Sequence, residues 1–146
     1  MFGPGTLDPD GLRRSIYFTV KRSHLIPMMV LFDGPDANQG LAERATTTIA
    51  PQALLLMNSP FVRRAAEGLA RKIDPGPEGA AAAAVRSAYA AALSREPSPA
   101  ELAGGLEFLA GETESYRSEG KSNARELALA DFCQTLLCLN EFIYLE

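Results

Sequence analysis

The residues best equipped for chemistry lie close together in one short stretch, Phe-Asp-Gly-Pro-Asp-Ala-Asn, at positions 32–38. Asp33, Asp36 and Asn38 present hard oxygen donors of the kind Ca²⁺ accepts. That ion needs about six to eight such ligands, and the spacing here is not the D-x-[DN]-x-[DN]-G of an EF-hand. A simpler role competes. Asp33 can open the Gly-Pro turn by accepting backbone N–H groups, and Asp36 and Asn38 can do the same in the turn that follows. The turn reading is the stronger, and a ligand role stays open beside it. Arg13, Arg14, Lys21, Arg22 and Arg44 flank the stretch. They can pair with its carboxylates, locking the loop without catalysis.

Other chemistry is sparse. His24 is the single histidine, and it has no acidic neighbour in sequence to form a dyad. The chain has no P-loop, no GxGxxG, no GxSxG and no HExxH. Catalytic residues are therefore unknown, no metal site is assigned, and no cofactor is expected in this chain. Cys133 and Cys138 are five residues apart. That is about 140° around a helix, which is poor geometry for bridging each other. Without the CxxCH pattern they are no haem attachment, and they read as reduced thiols acting as small apolar residues.

The elements that must position these groups are helices. Ile16, Tyr17 and Val20 suit one helical face, although Ile16, Phe18 and Val20 also alternate as a short strand would. A short helix opens at Pro27, and another apolar one carries Pro51 in its first turn. Ser59 and Pro60 mark the next start, followed by a stripe of Val62, Ala65, Leu69 and Ile73. Val85, Ala88, Tyr89, Ala92 and Leu93 repeat at helical spacing. Ser98 and Glu101 form a capping-box pattern ahead of Leu102, Leu106 and Leu109. The polar run at 111–122 reads as an exposed loop. A last helix, with Asn123 and Glu126 as caps, presents Leu129, Phe132, Cys133, Leu136, Leu137, Asn140 and Ile143.

The expected fold class is all-α: an irregular bundle of five to seven short-to-medium helices, compatible with a partial domain. Residues 1–146 are expected to form one helical domain, with 1–11 an extended or loop segment. No apolar run reaches the length of a membrane span, and the first residues are no signal peptide. The net charge of −4 is unevenly spread. Residues 1–72 hold nine Lys/Arg against six Asp/Glu, a balance of +3; residues 73–146 hold five against twelve, or −7. A balance of +3 is too weak to argue for nucleic acid.

Three blocks carry a family resemblance: RRSIYFTVKRSHLIPMMVLFDGPD, ERATTTIAPQALLLMNSPFVRRAA and the closing LADFCQTLLCLNEFIYLE. Together they resemble the C-terminal part of the domain of unknown function 1553, typical of planctomycetes. The resemblance implies a C-terminal fragment of a larger, exported protein, periplasmic or secreted, often with a cytochrome c domain upstream. It implies no established activity. Two functions follow as expectations. One is a scaffold or docking module without catalysis of its own, with Arg13, Arg14, Lys21 and Arg22 set against an acidic surface. Its partners would be upstream domains or another protein, with self-association through an exposed apolar patch. The alternative is part of an enzyme site, polysaccharide-active or redox-linked, built on Asp33, Asp36, Asn38 and nearby arginines. Two carboxylates serve glycoside hydrolysis only at a set separation.

Overall fold

The structure, a computed structural model, describes residues 15–19, 27–32, 50–74, 76 and 81–144. The fold class is all-α: seven α-helices and no strand among the described residues. The chain divides into two compact units, Met1–Leu55 and Leu56–Glu146.

In the first unit Ser15–Tyr17 make a single 3-10 turn, so neither a longer helix nor a strand forms across the described residues there. Ile16 is mostly exposed. Helix α1 is Pro27–Leu31, and its register continues one step as Phe32 N–H donates to Met28 O at 3.1 Å. Helix α2, Ala50–Asn58, begins in this unit and carries Pro51 in its first turn. The missing N–H costs no bond there. Gln52 on α2 is buried, and its Nε2 donates to Leu31 O at 2.8 Å. An amide so placed supplies a partner to a carbonyl at the end of α1 that the helix itself cannot satisfy.

The second unit holds α3 (Pro60–Ile73), α4 (Ala81–Leu93), α5 (Pro99–Ser118), α6 (Ala124–Leu137) and α7 (Asn140–Ile143). It is an irregular bundle arranged around α6, which packs most extensively on α3 and α5 and also touches α4 and α7. On α6, Ala128, Leu129, Phe132, Cys133 and Leu136 are all buried. That is the i, i+1, i+4, i+5, i+8 pattern of a wide core stripe. Small residues from the neighbours let α6 sit close: Ala66 and Ala70 on α3, and Ala84 and Ala88 on α4. Phe132 is the aromatic centre, with Tyr89 at 6.4 Å and Phe108 at 5.9 Å between ring centroids, both tilted. Tilted pairs at this range suit the ring quadrupoles.

Several details of the sequence reading change. The expected last helix is broken after Leu137, and Asn140 and Ile143 fall on the separate α7, where neither is buried. On α3 the buried side chains are Val62, Ala66 and Ala70, flanked by Leu69 and Ile73, while Ala65 is exposed; the stripe runs i, i+4, i+7, i+8, i+11. The expected loop at 111–122 is mostly helix, since α5 continues to Ser118. A lone glycine such as Gly111 costs a helix only about 1 kcal/mol, and no proline interrupts the run. The actual stop is Gly120, whose φ is +76°. Glycine alone takes that conformation freely. There Gly120 N–H bonds Arg117 O at 2.9 Å and Lys121 N–H bonds Tyr116 O at 3.0 Å. The pair of bonds is a Schellman closure.

The helix starts follow local rules more closely. Ser59 Oγ accepts from Val62 N–H at the start of α3. Ser98 and Glu101 form the full capping box of α5. Glu101 N–H donates to Ser98 Oγ at 3.3 Å, and Ser98 N–H donates to Glu101 Oε2 at 2.7 Å. Asn123 occupies the cap position of α6 but makes no side-chain cap bond, contrary to expectation. Its φ of −101° and ψ of 32° are the reason. They lie outside the extended region from which a cap side chain reaches back.

Candidate functional site

The expected site residues Arg13, Arg14, Lys21, Arg22, Asp33, Asp36, Asn38 and Arg44 lie outside the described residues, as does His24. The polar architecture that can be built from side chains is in the second unit, and it centres on three arginines.

Arg95 lies just beyond α4, after Ser94, whose positive φ of 56° turns the chain sharply at the helix end. L-residues visit that region only singly. The Arg95 guanidinium stacks over the Tyr89 ring at 5.2 Å, a cation–π contact. The Nε and Nη2 edge grips Glu141 on α7, at 2.6 Å to Oε1 and 2.8 Å to Oε2. The Nη1 and Nη2 edge grips Glu101 on α5, at 2.9 Å to Oε2 and 2.7 Å to Oε1. Nη1 also donates to Glu96 O at 3.2 Å. All five N–H donors of the guanidinium therefore have acceptors. Two bidentate carboxylates on one fork make a strong charge-assisted arrangement. The hydrogen bonds from Arg95, joined by those at Ser98, pull the Glu101 carboxyl down to about 2. Arg95 lowers Glu141 too, and the two carboxylates in turn raise the guanidinium.

Arg63 on α3 is the second centre. Its Nε donates to Glu67 Oε1 at 3.1 Å, one helical turn on. Its Nη1 donates to Asp131 Oδ1 on α6, and also to Gln134 Oε1 at 3.3 Å. The other Asp131 oxygen, Oδ2, accepts from the Tyr116 hydroxyl on α5 at 2.6 Å. That bond to a carboxylate, with burial, pushes the Tyr116 hydroxyl up to about 12. Both effects favour the neutral phenol. Gln134 Nε2 then donates to Met57 O at 2.9 Å. One aspartate thus joins α3, α5 and α6, and both of its oxygens are occupied.

Arg125 in the first turn of α6 is the third centre. It donates through Nη2 to Asp74 Oδ1 at 3.1 Å and through Nη1 to Gly76 O. Gly76 N–H returns to Asp74 Oδ1 at 3.0 Å, and its φ is +84°. Residues with a side chain avoid that conformation. The segment that follows α3 is thereby tied to α6.

Two cavities accompany these centres. One of about 630 Å³ lies between α3 and the start of α6, rimmed by Glu67, Arg71, Asp74, Asn123 and Glu126 over Leu129 and Ala130. The other, about 450 Å³, is bounded by Met57, Asp131, Gln134, Thr135, Cys138 and Leu139. Neither brings a nucleophile to a base. Asp131 is held by two donors, and Thr135 Oγ1 donates to Asp131 O at 3.0 Å. Cys133 is buried, and burial pushes its thiol up to about 12; Cys138, half-buried, is raised for the same reason. Thiols raised in this way are poor nucleophiles. Both are free. Among the described residues no group of three His, Cys, Asp or Glu side chains is placed to hold a metal ion.

The sequence signals only part of this network. Arg63 and Glu67 are i, i+4 partners, and Glu101 is flagged by its capping box. Arg95 with Glu141 and Tyr116 with Asp131 join positions 46 and 15 residues apart, and no local pattern announces such pairs.

No curated protein and no solved structure matches the chain. Residues 6–109 match the family described as PSD1, protein of unknown function (DUF1553). The matched stretch includes the first two resemblance blocks and ends within α5, so the closing block at 129–146 lies beyond it. With well over half of its 146 residues matched, the chain belongs to the PSD1 family of proteins of unknown function (DUF1553).

Proposed function

We propose that this chain is a helical docking module without catalysis of its own. The observation that carries the reading is the use of its charged side chains. Arg63, Arg95 and Arg125 each bind carboxylates or carbonyls of the fold itself, and Asp131 and Glu101 are held by those same contacts. Groups saturated in this way hold helices in place and are not poised to transfer protons. No described helix is long and apolar enough to cross a membrane. In this reading the partner is a domain upstream in the same exported polypeptide. The basic segment with Arg13, Arg14, Lys21 and Arg22 meets an acidic surface on that partner.

Calorimetric titration of the chain with its separately produced upstream domains tests the reading. Binding that weakens with salt, and weakens further when Arg13, Arg14, Lys21 and Arg22 are replaced by Glu, supports it. A parallel thermal scan with Ca²⁺ addresses the Asp33, Asp36 and Asn38 loop. No titration heat, together with a Ca²⁺-dependent rise in melting temperature that Asp33→Ala abolishes, would overturn docking in favour of a ligand site.

A further inference from the structure

Helix α7 is four residues long and none of its side chains is fully buried; Phe142 is 44% exposed and Ile143 half-buried. Helices this short do not persist on their own propensity and are held by what they touch. Among its backbone bonds, Phe142 and Ile143 N–H donate to Leu139 O at 3.0 and 3.3 Å, and Tyr144 N–H donates to Asn140 O at 2.8 Å. Against this stands a strong contact, the side-on grip of Arg95 on Glu141. Arg95 does not depend on α7 for its own position. Glu101, the Glu96 carbonyl and the Tyr89 ring hold it from α4, α5 and their connection. The anchor is therefore fixed to the body of the unit while its ligand sits on α7.

We infer that α7 is a latch: it opens as a unit from the α3–α6 body, which stays folded, and the Arg95–Glu141 pair sets how often it is shut. The physical basis is the difference in burial. The α6 stripe is sealed among α3, α4 and α5, so opening it requires global unfolding. Opening α7 breaks contacts that water and salt already reach, among them the Arg95–Glu141 pair, whose side chains are 37% and 46% exposed. Elements with so little buried surface open locally, well below the cost of global unfolding. Salt screens such a pair and so loosens the latch before the body feels it.

Native-state hydrogen exchange on the whole chain tests this, with Glu141→Gln as the variant. The substitution keeps the size of the side chain and leaves the capping box at Ser98 and Glu101 untouched. The amides of Phe142, Ile143 and Tyr144 are expected to exchange faster in the variant by about two- to fivefold, the factor one exposed ion pair is worth. Those of Cys133 and Leu136 are expected to keep their rates. Added salt accelerates the same three amides in the unaltered chain and has little effect on them in the variant. This salt titration needs no substitution, so it stands even if the variant is disturbed elsewhere. The inference is overturned if the three amides are indifferent to both salt and Glu141→Gln, or if they exchange at one common rate with Cys133 and Leu136.

Discussion

Two neighbouring glycines on α5 illustrate how much turns on a single position. A Cβ on Gly105 would meet Val85 Cγ1 at 3.0 Å, Phe132 Cζ at 3.1 Å and Val85 Cγ2 at 3.2 Å. Val85 is 0% and Phe132 5% exposed, so neither wall has room to retreat. Gly104 faces open space. Gly104→Ala is expected to stabilise by up to about 1 kcal/mol through helix propensity. Gly105→Ala gains the same propensity but overpacks the core, for a net loss of about 1 kcal/mol. Urea unfolding of the two variants checks the opposite signs. Arg95 yields a pH prediction at the same scale. Glu101 titrates near 2 in the folded chain against an ordinary value of 4.5, and Glu141 is shifted the same way. A depressed carboxyl stabilises the fold above its ordinary value and loses that contribution as pH falls through the folded value. The stability gap between the parent and Arg95→Gln should therefore be full above pH 4.5 and close as pH falls toward 2. A gap that stays constant across that window would exclude the carboxylates as its source.

At the scale of elements, caps and anchors decide where helices begin and end. The Ser98–Glu101 box and the unused Asn123 cap predict unequal responses. Ser98→Ala should cost about 1 kcal/mol, as cap removal usually does, while Asn123→Ala should change the melting temperature little. The last two turns of α5 read as loop in the sequence because residues 111–118 are polar. Polarity there marks a solvent-facing surface, and Tyr116, two turns beyond Phe108 and Leu109, continues the line that packs on the core. Tyr116→Phe removes the bond to the Asp131 carboxylate. A hydrogen bond to a charged group is worth about 1.5–3 kcal/mol. The same substitution should speed amide exchange over residues 112–118. Equal exchange in parent and variant would show that the Asp131 contact is not what holds this end of α5.

For the whole molecule, the division at Leu55/Leu56 carries its own test. The buried cluster runs from Ala66 to Leu136, entirely within the second unit. A chain of residues 56–146 is expected to unfold in one cooperative thermal transition, followed through the near-ultraviolet signals of Tyr89 and Tyr116. A gradual, non-cooperative melt would show that this cluster does not suffice. The helical class, the Ser59 and Ser98 starts, the apolar face of α4 and most of that of α6 are all legible along the chain. They depend on 3.6-residue periodicity and on caps, interactions that reach only a few residues in either direction. Other outcomes required the packed molecule: that Ala66 and not Ala65 faces the core, that Asn123 leaves its helix uncapped, and that Arg95 joins Glu101 to Glu141. Those depend on which helices meet and how closely, and the energy of such meetings is set by packing and by charges far apart in sequence.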